Sequence, residues 1–204
     1  REWQTVTTPT ASTLRSVAYG GGRFVAVGDG GTVLVSDDLG GSWRTATGPD
    51  RALTVRYLDG RFILLVGDLP PAGRASAVFQ SEEGAIWQAV PVPAAHAASR
   101  LVDVAFGFGR YAFAVGSGTV SCKADFTDWR QHLLPRAETL NLRHFQVAAI
   151  GTGASGFVGA GMFGNAGASP DGVTWEWNNS DGGAVVSGVA RLGGRWLGAR
   201  QSSV

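Results

Sequence analysis

An all-β fold, a β-propeller of about five four-stranded antiparallel blades, is what this sequence predicts, and three observations predict it. A short pattern ending in tryptophan occurs four times, and its tryptophans, Trp43, Trp87, Trp129 and Trp175, stand 44, 42 and 46 residues apart. A four-stranded blade takes about 40–45 residues, so the period fits one blade per repeat. A second motif lies upstream of the first and repeats in the same register. No segment of the 204 residues shows sustained helical periodicity, and 31 glycines suit a chain that turns often.

The upstream motif is an apolar strand, a tight glycine turn and a second strand opening on an aromatic. Its copies are Val17–Phe24, Val55–Phe62, Val104–Tyr111 and Val189–Trp196, with a looser copy ending at Ser155-Gly156-Phe157. Gly-Gly and Asp-Gly between apolar runs are hairpin signals, because a type I′ turn needs positive φ at both central residues. First strands are therefore expected at 14–19, 53–58, 101–106, 144–150 and 186–191, and second strands near 24–28, 62–67, 111–116, 157–161 and 196–200. The third strand of each blade runs into the tryptophan pattern, and the fourth starts at the tryptophan. The blades then span about 14–48, 53–92, 101–133, 142–179 and 186–204 plus 1–8, in one domain covering 1–204. Ala94 to Arg100 reads as an inter-blade loop with room for one helical turn.

The four copies of the downstream pattern are Ser36–Trp43, Ser81–Trp87, Ser121–Trp129 and Ser169–Trp175. They resemble the Asp-box, the Ser-x-Asp-x-Gly-x-x-Trp turn of sialidase-like (BNR-repeat) β-propellers. Ser169, Asp171, Gly172 and Trp175 fit the short form, and Ser36, Asp38, Gly40 and Trp43 the longer one. In the second copy Glu83 replaces the aspartate between Ser81 and Trp87, and the third keeps Ser121 and Trp129 but has lost the glycine. The resemblance implies a structural hairpin away from any catalytic face. The expected physics agrees: Ser and Asp side chains cap the amides of a turn, glycine takes the left-handed position, and the tryptophan covers one end of the blade and is largely buried.

Chemistry is sparse. There is no Gly-x-Ser-x-Gly, phosphate loop or His-Glu-x-x-His, and His96, His132 and His144 have no ligand spacing, so no metal and no cofactor is expected. The arginine triad and Tyr–Glu pair of sialidases have no counterpart that can be placed on this chain. Among the first strands Asp103 is the one carboxylate, either a solvated residue or part of a binding site, whereas glycoside hydrolysis needs two. Arg23, Arg61, Arg110 and Arg195 share one place at the inner turn, and are expected to pair with box acids or lie over an aromatic.

Net charge is +1 with no basic block, so nucleic acid is not an expected partner, and no apolar run is long enough to cross a membrane. Cys122 stands alone, so no internal disulfide forms, and the site is expected to be a small core residue. Asn178-Asn179-Ser180 matches a glycosylation sequon. The chain opens at Arg1 without an initiator Met, as a mature or trimmed product would. The resemblance implies an exported bacterial protein, secreted or in the cell envelope.

The expected function is a non-catalytic binding or scaffold module for a protein partner, working as a monomer. The alternatives are a carbohydrate-binding, lectin-like propeller and a glycoside hydrolase of sialidase-like type. Unequal loops on the face opposite the boxes mark the expected site, with Asp29, Asp68, Asp103, Met162, Phe163 and Asn165 as candidate contacts. Residues 1–7 resemble the strand that follows a box, so the N-terminus is expected to close the last blade. The count from Trp175 round to Trp3 is 32, about ten short of the period.

Overall fold

A computed structural model describes residues 5–67, 76–97, 100–134, 147–162, 165–179, 185–192 and 194–201. The chain falls into two compact units, Arg1–Pro91 and Val92–Val204.

The first unit holds two blades. Blade 1 is β1 (Leu14–Gly20), β2 (Arg23–Gly28), β3 (Thr32–Ser36) and β4 (Arg44–Thr47), hydrogen-bonded in that order. Blade 2 is β5 (Ala52–Leu58), β6 (Arg61–Val66), β7 (Ala77–Ser81) and β8 (Gln88–Val90). The second unit opens with α1 (Ala94–Ala97), the single helical turn for which the loop had room. Blade 3 is β9 (Leu101–Gly107), β10 (Arg110–Val115), β11 (Gly118–Lys123) and β12 (Arg130–Leu133), and blade 4 is β13 (Val147–Gly153), β14 (Gly156–Gly161), β15 (Asn165–Ser169) and β16 (Glu176–Asn179). Blade 5 shows β17 (Val185–Leu192) and β18 (Arg195–Gln201) among the described residues. The five inner hairpins stand where the glycine turns put them, within a few residues.

All pairings within the blades are antiparallel. The central strands read as near-continuous buried runs, such as Phe62 to Leu65 at 0% exposure, rather than alternating with exposed positions. In the first unit the core is Val25, Val27, Val33, Val35, Ala52, Val55, Phe62, Leu64 and Val66. In the second it is Ala105, Ala112, Ala114, Leu134, Val147, Ile150 and Phe157, with Trp175 and Trp177 packed against it.

Each first strand carries a bulge near its start. The pairing register slips at Arg15, Leu53, Val102, Ala148 and Ser187 in blades 1 to 5. A bulge leaves one residue unopposed and re-aims the next. The next residue is Ser16, Thr54 and Asp103 in blades 1 to 3, and Ala149 and Gly188 in blades 4 and 5. Ser16 Oγ accepts from Val55 N at 3.1 Å, and Asp103 Oδ2 accepts from Ile150 N at 3.2 Å. Both bonds cross from one blade to the first strand of the next, at the same repeat position.

Three expectations need correction. The fourth strands begin one residue after the tryptophan. Residues 5–8 carry no strand, and Trp3 with the third strand expected in blade 5 lies outside the described residues, as does any closure through them. The four box tryptophans are partly exposed rather than largely buried. They lie on a sheet face, not over a blade end: Trp43 sits 6.3 Å from Phe24 and Trp175 6.4 Å from Phe157, each against its own second strand.

Candidate functional site

The box turns come first, because they hold most of the acids. In the first, Ser36 Oγ accepts from Gly40 N at 2.8 Å and donates to Asp38 Oδ1 at 2.8 Å. Asp38 also accepts from Ser42 N and Ser42 Oγ, at 2.8 and 2.6 Å. Those bonds, the Ser42 hydroxyl foremost, pull the Asp38 carboxyl down to about 2. In the fourth, Ser169 Oγ accepts from Gly172 N, and Asp171 accepts from Val173 N and Thr174 N, each at 2.8 Å. The Asp171 carboxyl lies below its usual range, mainly through the Thr174 amide. In the second, Ser81 Oγ accepts from Gly84 N at 2.8 Å. These carboxylates hold turns, and that work keeps them ionised and fixed.

The third box is less degenerate than its sequence. Counted back from the tryptophan, Gly40, Gly84, Phe126 and Gly172 are equivalent, with φ of 92°, 76°, 60° and 77°. Phe126 thus adopts the left-handed backbone that glycine adopts elsewhere, at a cost of about 1–2 kcal/mol. Its ring offsets that cost by stacking on Tyr111, centroids 4.9 Å apart and planes within 5°, at 8% exposure. Asp125 keeps the acid's place and accepts from Thr127 N at 3.0 Å. The third box is one residue longer than the first and two longer than the second and fourth, and the buried Ser121 Oγ has no hydrogen-bond partner among the described residues.

Of the inner-turn arginines, Arg23 and Arg110 pair with box acids, as expected, and Arg61 pairs instead with an acid of its own turn. Arg23 Nε lies 3.2 Å from Asp37 Oδ1, and its Nη1 donates to the Glu83 carbonyl of the next blade at 3.2 Å. Arg61 bridges Gln80 and Asp59. Arg110 meets Asp128 Oδ2 at 3.0 Å, and Arg130 holds the other oxygen at 2.7 Å. Arg195 is exposed.

The opposite, loop end carries the candidates chosen from sequence. Asp29 lies in a single 3-10 turn and makes a bidentate pair with Arg15, at 2.5 and 2.9 Å. That pair holds the Asp29 carboxyl below its usual range. Asp103 is buried at 6% exposure and accepts from Val104 N and Ile150 N, so it is not a solvated residue. Asn165 is buried at 1% and Met162 partly buried. Asp68 and Phe163 lie outside the described residues. Of the four described candidates, Asp103, Asn165 and Met162 are thus buried or partly buried, and Asp29 is held by Arg15. Among the described residues no three His, Cys, Asp or Glu side chains stand close enough to hold a metal ion, and no helix is long and apolar enough to cross a membrane.

Sequence reasoning missed two exposed apolar features. At the box end, Leu39 and Phe108 are 71% and 53% exposed with φ of 58° and 52°. Phe108 stands where the sister turns have Gly21 and Asp59, and it lines a shallow pocket with Arg110, Lys123 and Asp125. The second feature is a groove of about 560 Å³ on the outer face of blade 1, lined by Val6, Leu14, Val17, Phe24, Leu39 and Trp43. The signal for the first was legible: a Phe-Gly turn where its sisters read Gly-Gly or Asp-Gly.

No known protein family and no curated protein sequence matches this chain. Solved structures do. The computationally designed Ika4 protein aligns at TM-score 0.55 with 14% identity, over 88% of this chain and 99% of its own. YCF48, solved bound to D1 peptide, aligns at 0.65 with 16% identity over 96% of this chain and 64% of its own. A chain of the nidogen/laminin complex aligns at 0.61 with 10% identity over 92% and 72%. At such identities the likeness shows the fold, and it is a β-propeller of about five blades.

Proposed function

We propose that the chain is a non-catalytic binding module that recognises a protein partner at the box end of its blades. One observation carries this: Phe108, whose ring lies 5.9 Å from that of Phe157, still leaves 53% of itself in solvent, on a backbone conformation costing about 1–2 kcal/mol that the turns of blades 1 and 2 assign to Gly21 and Asp59. The exposed part of the ring fits an aromatic anchor beside the cations Arg110 and Lys123. Leu39 repeats the pattern in blade 1. The box acids Asp37, Asp38, Asp125, Asp128 and Asp171 support the non-catalytic reading, since each holds a turn or an arginine. The loop end keeps one exposed candidate, Asp29, as a second contact.

The test uses the full chain with Phe108→Asp and Asp29→Ala variants on a peptide library, a glycan array and chromogenic glycosides. Asp occupies the same turn position in blade 2, so Phe108→Asp should keep the fold, with the melting temperature lowered only by the lost contact with Phe157. Peptide binding should weaken about tenfold or more in that variant. Loss confined to Asp29→Ala would move the site to the loop end. Glycan binding or glycoside turnover untouched by Phe108→Asp would refute the proposal.

A further inference from the structure

Register makes the box ends of the blades comparable residue by residue. The aromatic that opens each second strand faces Ser36, Ser81, Cys122 and Ser169 in blades 1 to 4, so the residues that follow, Asp37, Glu82, Lys123 and Pro170, share one place. In blade 1 the acid at that place binds two arginines: Asp37 lies 3.2 Å from Arg23 and 3.4 Å from Arg44. In blade 3 the equivalent arginines, Arg110 and Arg130, are held instead by Asp128, at 3.0 and 2.7 Å. The acid has thus moved along the box, and its former place carries a cation, Lys123, directly opposite Arg110. Like charges opposite one another across a strand pair cost stability. Lys123 is exposed, and its ammonium makes no hydrogen bond or ion pair among the described residues.

Blade 3 departs from its sisters at a second place, since Phe108 stands where the turns of blades 1, 2 and 4 have Gly21, Asp59 and Ala154. The two departures line one pocket. It is built within the second unit: alternation puts Arg110 on the same face as Ala112 and Ala114, which share a core with Val147, Ile150 and Phe157 of blade 4. The inner turn and box of blade 3 carry Arg110, Lys123 and Arg130 against Asp125 and Asp128, an excess of cation, whereas those of blade 1 are balanced and those of blades 2 and 4 acidic. Asp125 is already engaged by Thr127 N and Oγ1. We infer that the partner segment docking at Phe108 is acidic: a peptide stretch in which an apolar side chain lies on the Phe108 ring and a neighbouring Asp or Glu carboxylate pairs with Lys123. This rests on the binding function proposed above and narrows it to one partner chemistry. A carboxylate suits the site better than a phosphate, whose strongest bonds come from a free guanidinium fork. Both terminal nitrogens of Arg110 already donate to Asp128.

The experiment selects binders from a displayed random peptide library on the full chain. Fluorescence anisotropy then measures each selected peptide on the parent, Phe108→Gly, Lys123→Gln and Lys123→Glu. Selected peptides should carry Asp or Glu beside an aromatic or large aliphatic residue. Lys123→Gln should weaken their binding about threefold, as an exposed ion pair allows, and Lys123→Glu about tenfold or more, because repulsion is added. Salt should weaken binding to the parent more than to Lys123→Gln. A peptide with its acid changed to Lys should bind Lys123→Glu better than the parent. Lys123→Gln should not lower the melting temperature, since it removes the like charge opposite Arg110. Peptides that lose binding in Phe108→Gly, yet carry no acid and bind Lys123→Gln like the parent, would overturn the acidic partner and leave the binding module standing. Peptides that bind every variant alike, or a library that yields no binder, would overturn both.

Discussion

Replacing Gly20 by Ala should destabilise the first unit although it adds a single methyl group. Gly20 has no positive φ, so the backbone accepts alanine, and the strand should gain about 0.5–1 kcal/mol from the lost glycine entropy. The obstacle is steric. The new Cβ would lie 1.9 Å from Tyr57 Cγ and 2.0 Å from Cδ1. Carbon atoms need about 3.5 Å or more, so the ring must retreat by well over an ångström. Phe62, at 0% exposure and 4.9 Å centroid to centroid, stands against the same ring. Overpacking of this kind costs about 1–3 kcal/mol, and displacing Tyr57 loses part of its contact area, so a net loss of about 2 kcal/mol is expected. For a chain of this size that is about 4–8 °C in melting temperature. Urea titration followed by tryptophan fluorescence measures it. The decisive comparison is the double variant Gly20→Ala/Tyr57→Ala, in which the methyl group occupies space the ring has left. The two losses should then fail to add by about 1–2 kcal/mol. Gly22→Ala is the control: nothing lies within 4 Å of its Cβ, and its penalty comes from φ of +79° alone. A Gly20→Ala variant within 0.5 kcal/mol of the parent (about the noise of such data), or strict additivity with Tyr57→Ala, would refute the packing argument.

Other expectations follow from the same geometry. Asp38 has a depressed folded pKa, so its contribution is complete above the unfolded value near about 4 and is lost as pH falls through about 2; Asp38→Asn should flatten acid unfolding in that window. Asp103→Ala should cost about 1–3 kcal/mol by orphaning buried amides, and hydrogen exchange should accelerate at Ile150 N. Trp175 stacks on Trp177 at 5.1 Å but is partly exposed, so Trp175→Ala should cost about 2–4 kcal/mol, read by thermal unfolding. Burial pushes the Cys122 thiol up to about 12, so it should resist a thiol reagent at pH 8 until denaturant is added.

The hairpins and boxes were legible because backbone demands left marks in composition. Positive φ at Gly21, Gly22, Gly60 and Gly109 is what a glycine turn announces. The capping bonds of Ser36, Asp38, Ser169 and Asp171 are local, within a few residues, so a short motif encodes them. Phe126 shows where the motif stops being a guide: the turn kept its geometry after losing its glycine, because a buried stacking partner at Tyr111 offset the strain. Asp103 reads from sequence as a lone acid on a strand. Its amide partner lies 47 residues away, and no local pattern points there. The exposed apolar faces were illegible for a related reason, since Tyr19 and Tyr57 are the same residue in the same motif. One meets glycine and the other meets solvent, and that difference lies in the neighbours rather than in the repeat.

The seam between blades has an evolutionary consequence. Ser16 and Asp103 do not recognise a side chain across the boundary; each grips a main-chain N–H, of Val55 and of Ile150. Every amino acid except proline supplies that group. A hydroxyl and a carboxylate serve equally, and Ala149 shows the position can stand empty. A gene segment encoding one blade can therefore be duplicated, lost or reshuffled, and the new neighbours find a compatible joint without any compensating mutation. Such a joint separates the number of blades from their identity, leaving the exposed turns free to diverge while the unit of assembly stays interchangeable.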